Sequence, residues 1–329
     1  MNIFKSCKDR LLDFKKDDFE QLAFEIYRMQ AVKNQVYNEY HAYLGKNPQN
    51  IHQLEDIPFL PIEFFKSHEI KTYDWASERI FNSSGTTGQI SSQHHILDLE
   101  FYKKISLKNF EYVFGPISDY NILALLPSYL ERDDSSLVYM VDHFIERSAS
   151  GENSFYLNDF DRLLEDLTQL KGGGKKIMLW GVSFALLDLI ENYGPDLNGV
   201  MVVETGGMKG RRKEMTKQEL HELIMHGLNV EQVYSEYGMT ELLSQGYSLG
   251  EGVFSLPPWM RIQIREINDP FDRVEYGNGG GMNIIDLSNF HSCSFIETKD
   301  IGRLWQDGTF EVLGRYDNSD IRGCNLLIN

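Results

Sequence analysis

The chain has 329 residues, 42% of them hydrophobic, which is enough for a sizeable buried core and fits one large domain or two modest ones. A formal net charge of -17 repels a phosphate backbone over most of the surface, and the short Arg211, Arg212, Lys213 cluster does not offset it, so nucleic-acid binding is excluded as the main activity. The three cysteines, Cys7, Cys293 and Cys324, are odd in number and lack metal-ligand spacing, which argues against a disulfide framework or structural zinc and points to a reducing, cytoplasmic setting.

Along the chain, Phe19, Leu22, Ala23, Ile26 and Tyr27 recur at helical spacing and predict an amphipathic helical opening region over residues 17–44. A proline-punctuated stretch, 57–65, ends it. Short apolar runs at 121–126, 176–180, 200–203 and 230–234 suit buried strands, and helical patterns at 160–170, 184–192 and 214–226 lie between them. This alternation predicts a layered α/β core with a parallel sheet. Past Leu256, alternating segments at 261–267, 282–287 and 310–313 are separated by Gly and Asp turns and predict a smaller β-rich subdomain, with the division at 1–255 and 256–329. The glycines at 172–174 and 277–281 read as turns. No run is long and apolar enough to span a bilayer.

Three segments carry chemistry. Residues 81–88, FNSSGTTG, follow a strand-like Arg79 and Ile80. Gly85 and Gly88 let successive backbone N–H groups converge on an anion, while Ser83, Ser84, Thr86 and Thr87 add hydroxyl donors around a polyphosphate. Gln89 follows Gly88 where a P-loop requires lysine, so that motif is excluded. In 203–207, VETGG, a buried strand ends on Gly206 and Gly207, where a flat base can lie against bare backbone. In 234–241, YSEYGMTE, Tyr237 can stack on adenine, Gly238 makes the turn, Thr240 can donate to a phosphate, and Glu241 offers magnesium a hard oxygen ligand. His94 and His95 are adjacent on a strand and so face opposite ways, which argues against a shared metal.

The string SSGTTG resembles the phosphate-binding signature of the adenylate-forming superfamily, which includes acyl-CoA synthetases, luciferases and peptide-synthetase adenylation domains. The usual Pro-Lys-Gly continuation is replaced by Gln89, Ile90 and Ser91, so the loop lysine is missing. VETGG is similar to the adenine-side turn of that superfamily, and YGMTE to its Tyr-Gly-x-Thr-Glu motif. Residues 297–303, ETKDIGR, resemble its Thr-Gly-Asp region with Lys299 in place of glycine, which implies that Asp300 accepts hydrogen bonds from both ribose hydroxyls. Residues 313–323, LGRYDNSDIRG, resemble the hinge signature, which implies that Arg315 contacts ribose or phosphate and that Asp317 marks the hinge.

Six residues, 324–329, follow Gly323, so the expected architecture is the layered α/β core of the superfamily's large domain with a smaller β-rich subdomain, without the mobile C-terminal domain. The ending from Asp320 to Leu326, the Gly207-Met-Lys-Gly210 turn and the stretch 59–66 resemble the LuxE-type acyl-protein synthetases, related to phenylacetate-CoA ligases. That resemblance implies an ATP- and magnesium-dependent ligase converting a carboxylic, in this subfamily fatty, acid to acyl-AMP. The acyl group then moves to a cysteine thiol near the carboxyl end and on to a protein partner such as an acyl reductase. Cys324 is the candidate thiol, flanked by Arg315 and Arg322; Cys293 is a weaker contender. Lys209 or Arg211 is the candidate cation at the α-phosphate. Two alternatives stay open: a coenzyme A ligase of the phenylacetate type, and a degenerate non-catalytic nucleotide-binding protein.

Overall fold

The helical spacing from Phe19 to Tyr27 closes into a buried face. In the computed structural model, which describes residues 2–83, 90–126, 134–148, 150, 154–206 and 215–316, α1 (Asn2–Leu12) precedes α2 (Phe19–Lys33). Asn34 then breaks the helix, and its side chain accepts the Tyr37 N–H to start α3 (Gln35–Tyr43), so the single predicted region is two helices. The polar residues Gln30 and Asn34 are fully buried. Gln30 accepts the Ser294 N–H at 2.9 Å and donates to the Asn289 carbonyl at 3.2 Å, while Asn34 donates to the Ser292 carbonyl at 3.0 Å. These bonds replace the lost hydration and fix the 289–294 segment against α2.

The proline-rich stretch supplies β1 (Leu60–Pro61) and α4 (Phe64–Ser67). Next, β2 (Arg79–Asn82) and β3 (Gln93–Ile96) pair antiparallel as a separate ribbon on either side of residues 84–89. Then α5 (Leu99–Phe114) begins where the Asp98 carboxylate accepts the Phe101 N–H and stops at Gly115, whose φ of 85° suits a residue without Cβ.

The predicted alternation follows as β4 (Tyr120–Leu125), α6 (Ser136–Arg147), α7 (Phe160–Leu170), β5 (Lys176–Val182), α8 (Ser183–Asn192), β6 (Val200–Thr205), α9 (Lys217–Leu228) and β7 (Val233–Tyr237). The four strands pair in parallel in the order β4-β5-β6-β7. Within this alternation the largest boundary differences from the sequence reading are at α9 and β7. A capping box between Thr216 and Glu219 starts α9 later than 214, and Asn229 in the left-handed region (φ 53°) ends it, which shifts β7 on from 230–234. Successive strand residues face opposite sides of the sheet. Trp180 therefore packs on Phe110 of α5 and Phe144 of α6 (centroids 6.4 and 5.8 Å), whereas Glu204 meets Lys217 and His221 of α9 on the other face.

The remaining strands are β8 (Gly246–Ser248), β9 (Val253–Ser255), β10 (Met260–Arg265), β11 (Gly279–Asp286), β12 (Phe295–Leu304) and β13 (Phe310–Arg315). They continue the same sheet in the order β10-β11-β12-β13-β9-β8-β7-β6-β5-β4, with β1 pairing parallel to β12, for 11 strands. Gly279, Gly280 and Gly281, read as a turn, are strand residues. A Cβ on Gly280 would stand 2.3 Å from the Arg265 carbonyl oxygen, and one on Gly281 2.6 Å from the Arg265 guanidinium, so these glycines make room for a buried arginine. Among the described residues, no helix is long and apolar enough to cross a membrane.

Candidate active site

Parallel strands expose their carboxyl ends at one rim of the sheet, the usual place for a ligand site in α/β folds. At that rim β6 ends on Thr205 and Gly206, and β7 ends on Glu236 and Tyr237. Gly206 has φ 71°, and its carbonyl accepts the Ser183 hydroxyl at 3.1 Å. Gly238 is exposed, and a Cβ there would lie 2.2 Å from Glu236 Oε1, so any side chain at this turn would have to displace that carboxyl.

The turn after β7 delivers Thr240, half-buried, and Glu241, which is 4% exposed. The Ser92 hydroxyl bonds the Glu241 carboxylate. Ser92 in turn is tied to Ser83, donating its N–H to Ser83 Oγ at 2.8 Å and accepting the Ser83 N–H at 3.0 Å. Ser83 and Ser92, at the inner ends of β2 and β3, are thereby fastened together next to Glu241. Backbone restraint comes from His94, whose Nδ1 lies 2.7 Å from the Thr240 carbonyl, and from Asn289, which donates to the Glu241 carbonyl at 2.7 Å.

Beyond Glu241, the buried Asp286 accepts the Leu243 and Ser244 N–H groups, both at 2.9 Å, and the Ser244 hydroxyl.

Across the rim, Asp300 of β12 sits opposite Arg315 of β13. The Tyr237 hydroxyl donates to Asp300 Oδ2 at 2.7 Å, and Arg315 Nε stands 3.8 Å from Asp300 Oδ1. The Tyr237 ring packs edge-on against Phe310 and Phe254 (centroids 5.6 and 6.1 Å). Burial pushes the Glu241 carboxyl above its ordinary range, Asp300 adds to this, and the Ser92 hydroxyl and Arg315 oppose it. Burial likewise raises Asp300, against the Tyr237 hydrogen bond and Arg315. Tyr237, Glu241, Asp300 and Arg315 thus share one electrostatic neighbourhood. Among the described residues no cation forms an ion pair with Glu241, and a dehydrated carboxylate with a hydroxyl partner is a donor set that fits a hard divalent cation.

The residues named from sequence divide as follows. Ser83, Gly206, Tyr237, Gly238, Thr240, Glu241, Asp300 and Arg315 are described at the rim. Ser84, Gly85, Thr86, Thr87, Gly88, Gly207, Lys209 and Cys324 lie outside the described residues, as do Arg211, Asp317 and Arg322. Cys293 is fully buried, and burial pushes its thiol up to about 12, which suits packing rather than nucleophilic attack.

Sequence reasoning missed Ser92, Glu204, Asp286 and Asn289, which show only as ordinary polar letters. Glu204 is fully buried and collects Lys217, Ser235 Oγ at 2.8 Å and Ser183 Oγ at 3.1 Å. Its carboxyl falls to about 2 because Lys217 and these hydrogen bonds outweigh desolvation.

Residues 9–329 match the family described as acyl-protein synthetase, LuxE. The chain belongs to that family. The resemblance read from its motifs is borne out, and so is the adenylate-forming fold class, since the similar solved structures are ligases of that kind. ATP-bound MatB from Rhodopseudomonas palustris is 15% identical with a TM-score of 0.53, over 74% of this chain and 50% of that one. A 2-hydroxyisobutyryl-CoA ligase in an open conformation, in complex with 2-HIB-AMP and CoA, is 14% identical with a TM-score of 0.63, over 91% and 74%. A variant of o-succinylbenzoate CoA synthetase (MenE) from Bacillus subtilis is 18% identical with a TM-score of 0.53, over 74% and 50%. The chain therefore spans about half the length of the MatB and MenE structures. No curated protein matches the sequence.

Proposed function

We propose that this LuxE-family chain activates a carboxylic acid with ATP. The acid's carboxylate oxygen attacks the α-phosphorus, the bond to the β-phosphate oxygen breaks, and pyrophosphate leaves behind an acyl-AMP. Asp300 binds the ribose hydroxyls, Arg315 the ribose or phosphate edge, Tyr237 the adenine, and Thr240 with the hydroxyl-rich 83–88 loop the phosphates. Glu241 holds magnesium, which when bound supplies positive charge against the phosphate oxygens. Lys209 screens the α-phosphate. The Cys324 thiolate then attacks the acyl carbonyl, AMP departs, and the thioester passes to a protein partner. A fatty acid is the substrate and the cytoplasm the setting that the family resemblance favours.

The observation that carries this reading is the convergence at one rim of the Ser83–Ser92 clasp, Glu241 and the Tyr237–Asp300–Arg315 group. Carboxylate-dependent exchange of labelled pyrophosphate into ATP tests the first step, with fatty, aromatic and short acids compared. No exchange with any acid, partner proteins included, would replace the ligase with a nucleotide-binding module. Glu241→Gln is expected to lower exchange about 100-fold or more, as loss of one charge-stabilising group does. Mass spectrometry after incubation with ATP and acid tests the thioester: labelling that persists in Cys324→Ser would defeat it, and release of acyl-CoA would favour a coenzyme A ligase.

A further inference from the structure

His94 is 1% exposed on β3, the strand that leaves the phosphate loop, and it reaches across to the turn after β7. Its Nδ1 is 2.7 Å from the Thr240 carbonyl oxygen, an acceptor only, so Nδ1 carries hydrogen. Its Nε2 is 3.0 Å from Asn289 Oδ1. Asn289 cannot be turned round to relieve that contact, because its Nδ2 donates to the Glu241 carbonyl at 2.7 Å and the Cys293 carbonyl at 2.8 Å, and a flip would set oxygen against two oxygens. Both ring nitrogens thus face acceptors, and only an imidazolium would satisfy both. Burial keeps the ring neutral, pushing its pKa down to about 4, so the single proton stays on the shorter edge at Thr240. His94 and Asn289 together grip two consecutive carbonyls, those of Thr240 and Glu241.

We propose that His94 is a positioning residue: its Nδ1–H bond to the Thr240 carbonyl couples the strand leaving the phosphate loop to the turn that carries Thr240 and Glu241, fixing where the Glu241 carboxylate stands. His95, next along the strand, takes a different partner, Ser77, at 2.9 Å and does not share the task. The proposal rests on the acyl-adenylate reading above. Supports of groups that hold a metal are worth about 10- to 100-fold in affinity or activity, which sets the effect to look for.

The test compares the wild type with His94→Leu and His94→Asn, the latter keeping an amide donor near the Nδ1 position. In pyrophosphate exchange, His94→Leu is expected to lower kcat about 10- to 100-fold and to raise the magnesium concentration for half-maximal rate about 10-fold. The KM for the acid should stay within about twofold, and His94→Asn should recover to within about threefold of wild type. A residue that merely supported the fold would change the active fraction and leave the magnesium midpoint in place. Independently of activity, nitrogen-15 NMR of the metal-free wild type at pH 7 should show His94 protonated at Nδ1 and bare at Nε2. Unchanged kcat and magnesium midpoint in a folded His94→Leu would overturn the proposal, and so would the Nε2–H tautomer, which is read on the wild type and decides the matter should His94→Leu fail to fold. Absence of exchange in the wild type with every acid would remove the ligase reading itself, and this proposal with it.

Discussion

Two neighbouring glutamates at the rim show how placement alone sets acidity. Glu204, on the α9 face, has Lys217 and hydroxyl partners and is held at about 2. Glu236, on the other face, has the Thr205 hydroxyl and is pushed up to about 7 by burial, with the Glu204 charge adding to it. Because the folded pKa of Glu236 lies above its ordinary value of 4.5, the folded state holds that proton more tightly than the unfolded chain. Its contribution is neutral below about pH 4.5, turns unfavourable as pH rises, and is fully unfavourable above about pH 7. Glu236→Gln should therefore gain stability relative to wild type between pH 5 and pH 8, by roughly 1.4 kcal/mol for each unit of pKa displacement removed. Urea midpoints at the two pH values check this; a difference independent of pH contradicts it. The candidate site letters Tyr237, Thr240, Glu241, Asp300 and Arg315 were legible because they sit in motifs. Glu236 and Asp286 were not, since their character comes from burial between elements distant in sequence.

Element types were readable wherever one local signal dominated. The run Lys176–Val182 is a strand because apolar residues fill both faces, and Phe160–Leu170 is a helix because its apolar stripe has helical period. Boundaries failed where caps or close approaches decide them, as at Thr216 and Asn229, and at the glycines of β11. Those glycines also carry a prediction. Gly280→Ala places a methyl 2.3 Å from the Arg265 carbonyl, a rigid backbone atom, so β10 and β11 must separate or shift. A loss of about 1–3 kcal/mol is expected by chemical denaturation from this overlap alone, since Gly280 does not sit at positive φ.

For the whole molecule, a net charge of -17 sets a repulsive field against an approaching nucleotide triphosphate. Salt screens that field over distances near 10 Å, while contacts inside the rim are affected less. At fixed free magnesium, the apparent KM for ATP should therefore fall as ionic strength rises from about 10 mM to about 150 mM, opposite to what a basic nucleotide-binding surface gives. A rise over that range would place the controlling charge inside the site instead. The continuity of the sheet from β4 to β10 was not legible, because strand order across β13 and β9 depends on long-range pairing that leaves no local trace.

The grip of Gln30 and Asn34 on residues 289–294 has a consequence for biosynthesis. These side chains emerge from the ribosome early, yet their hydrogen-bond partners are translated some 260 positions later. Until residues 289–294 are made, Gln30 and Asn34 lack these partners and stay hydrated, so a nascent chain stalled at 255 should be cut by protease within α2 where the released protein resists.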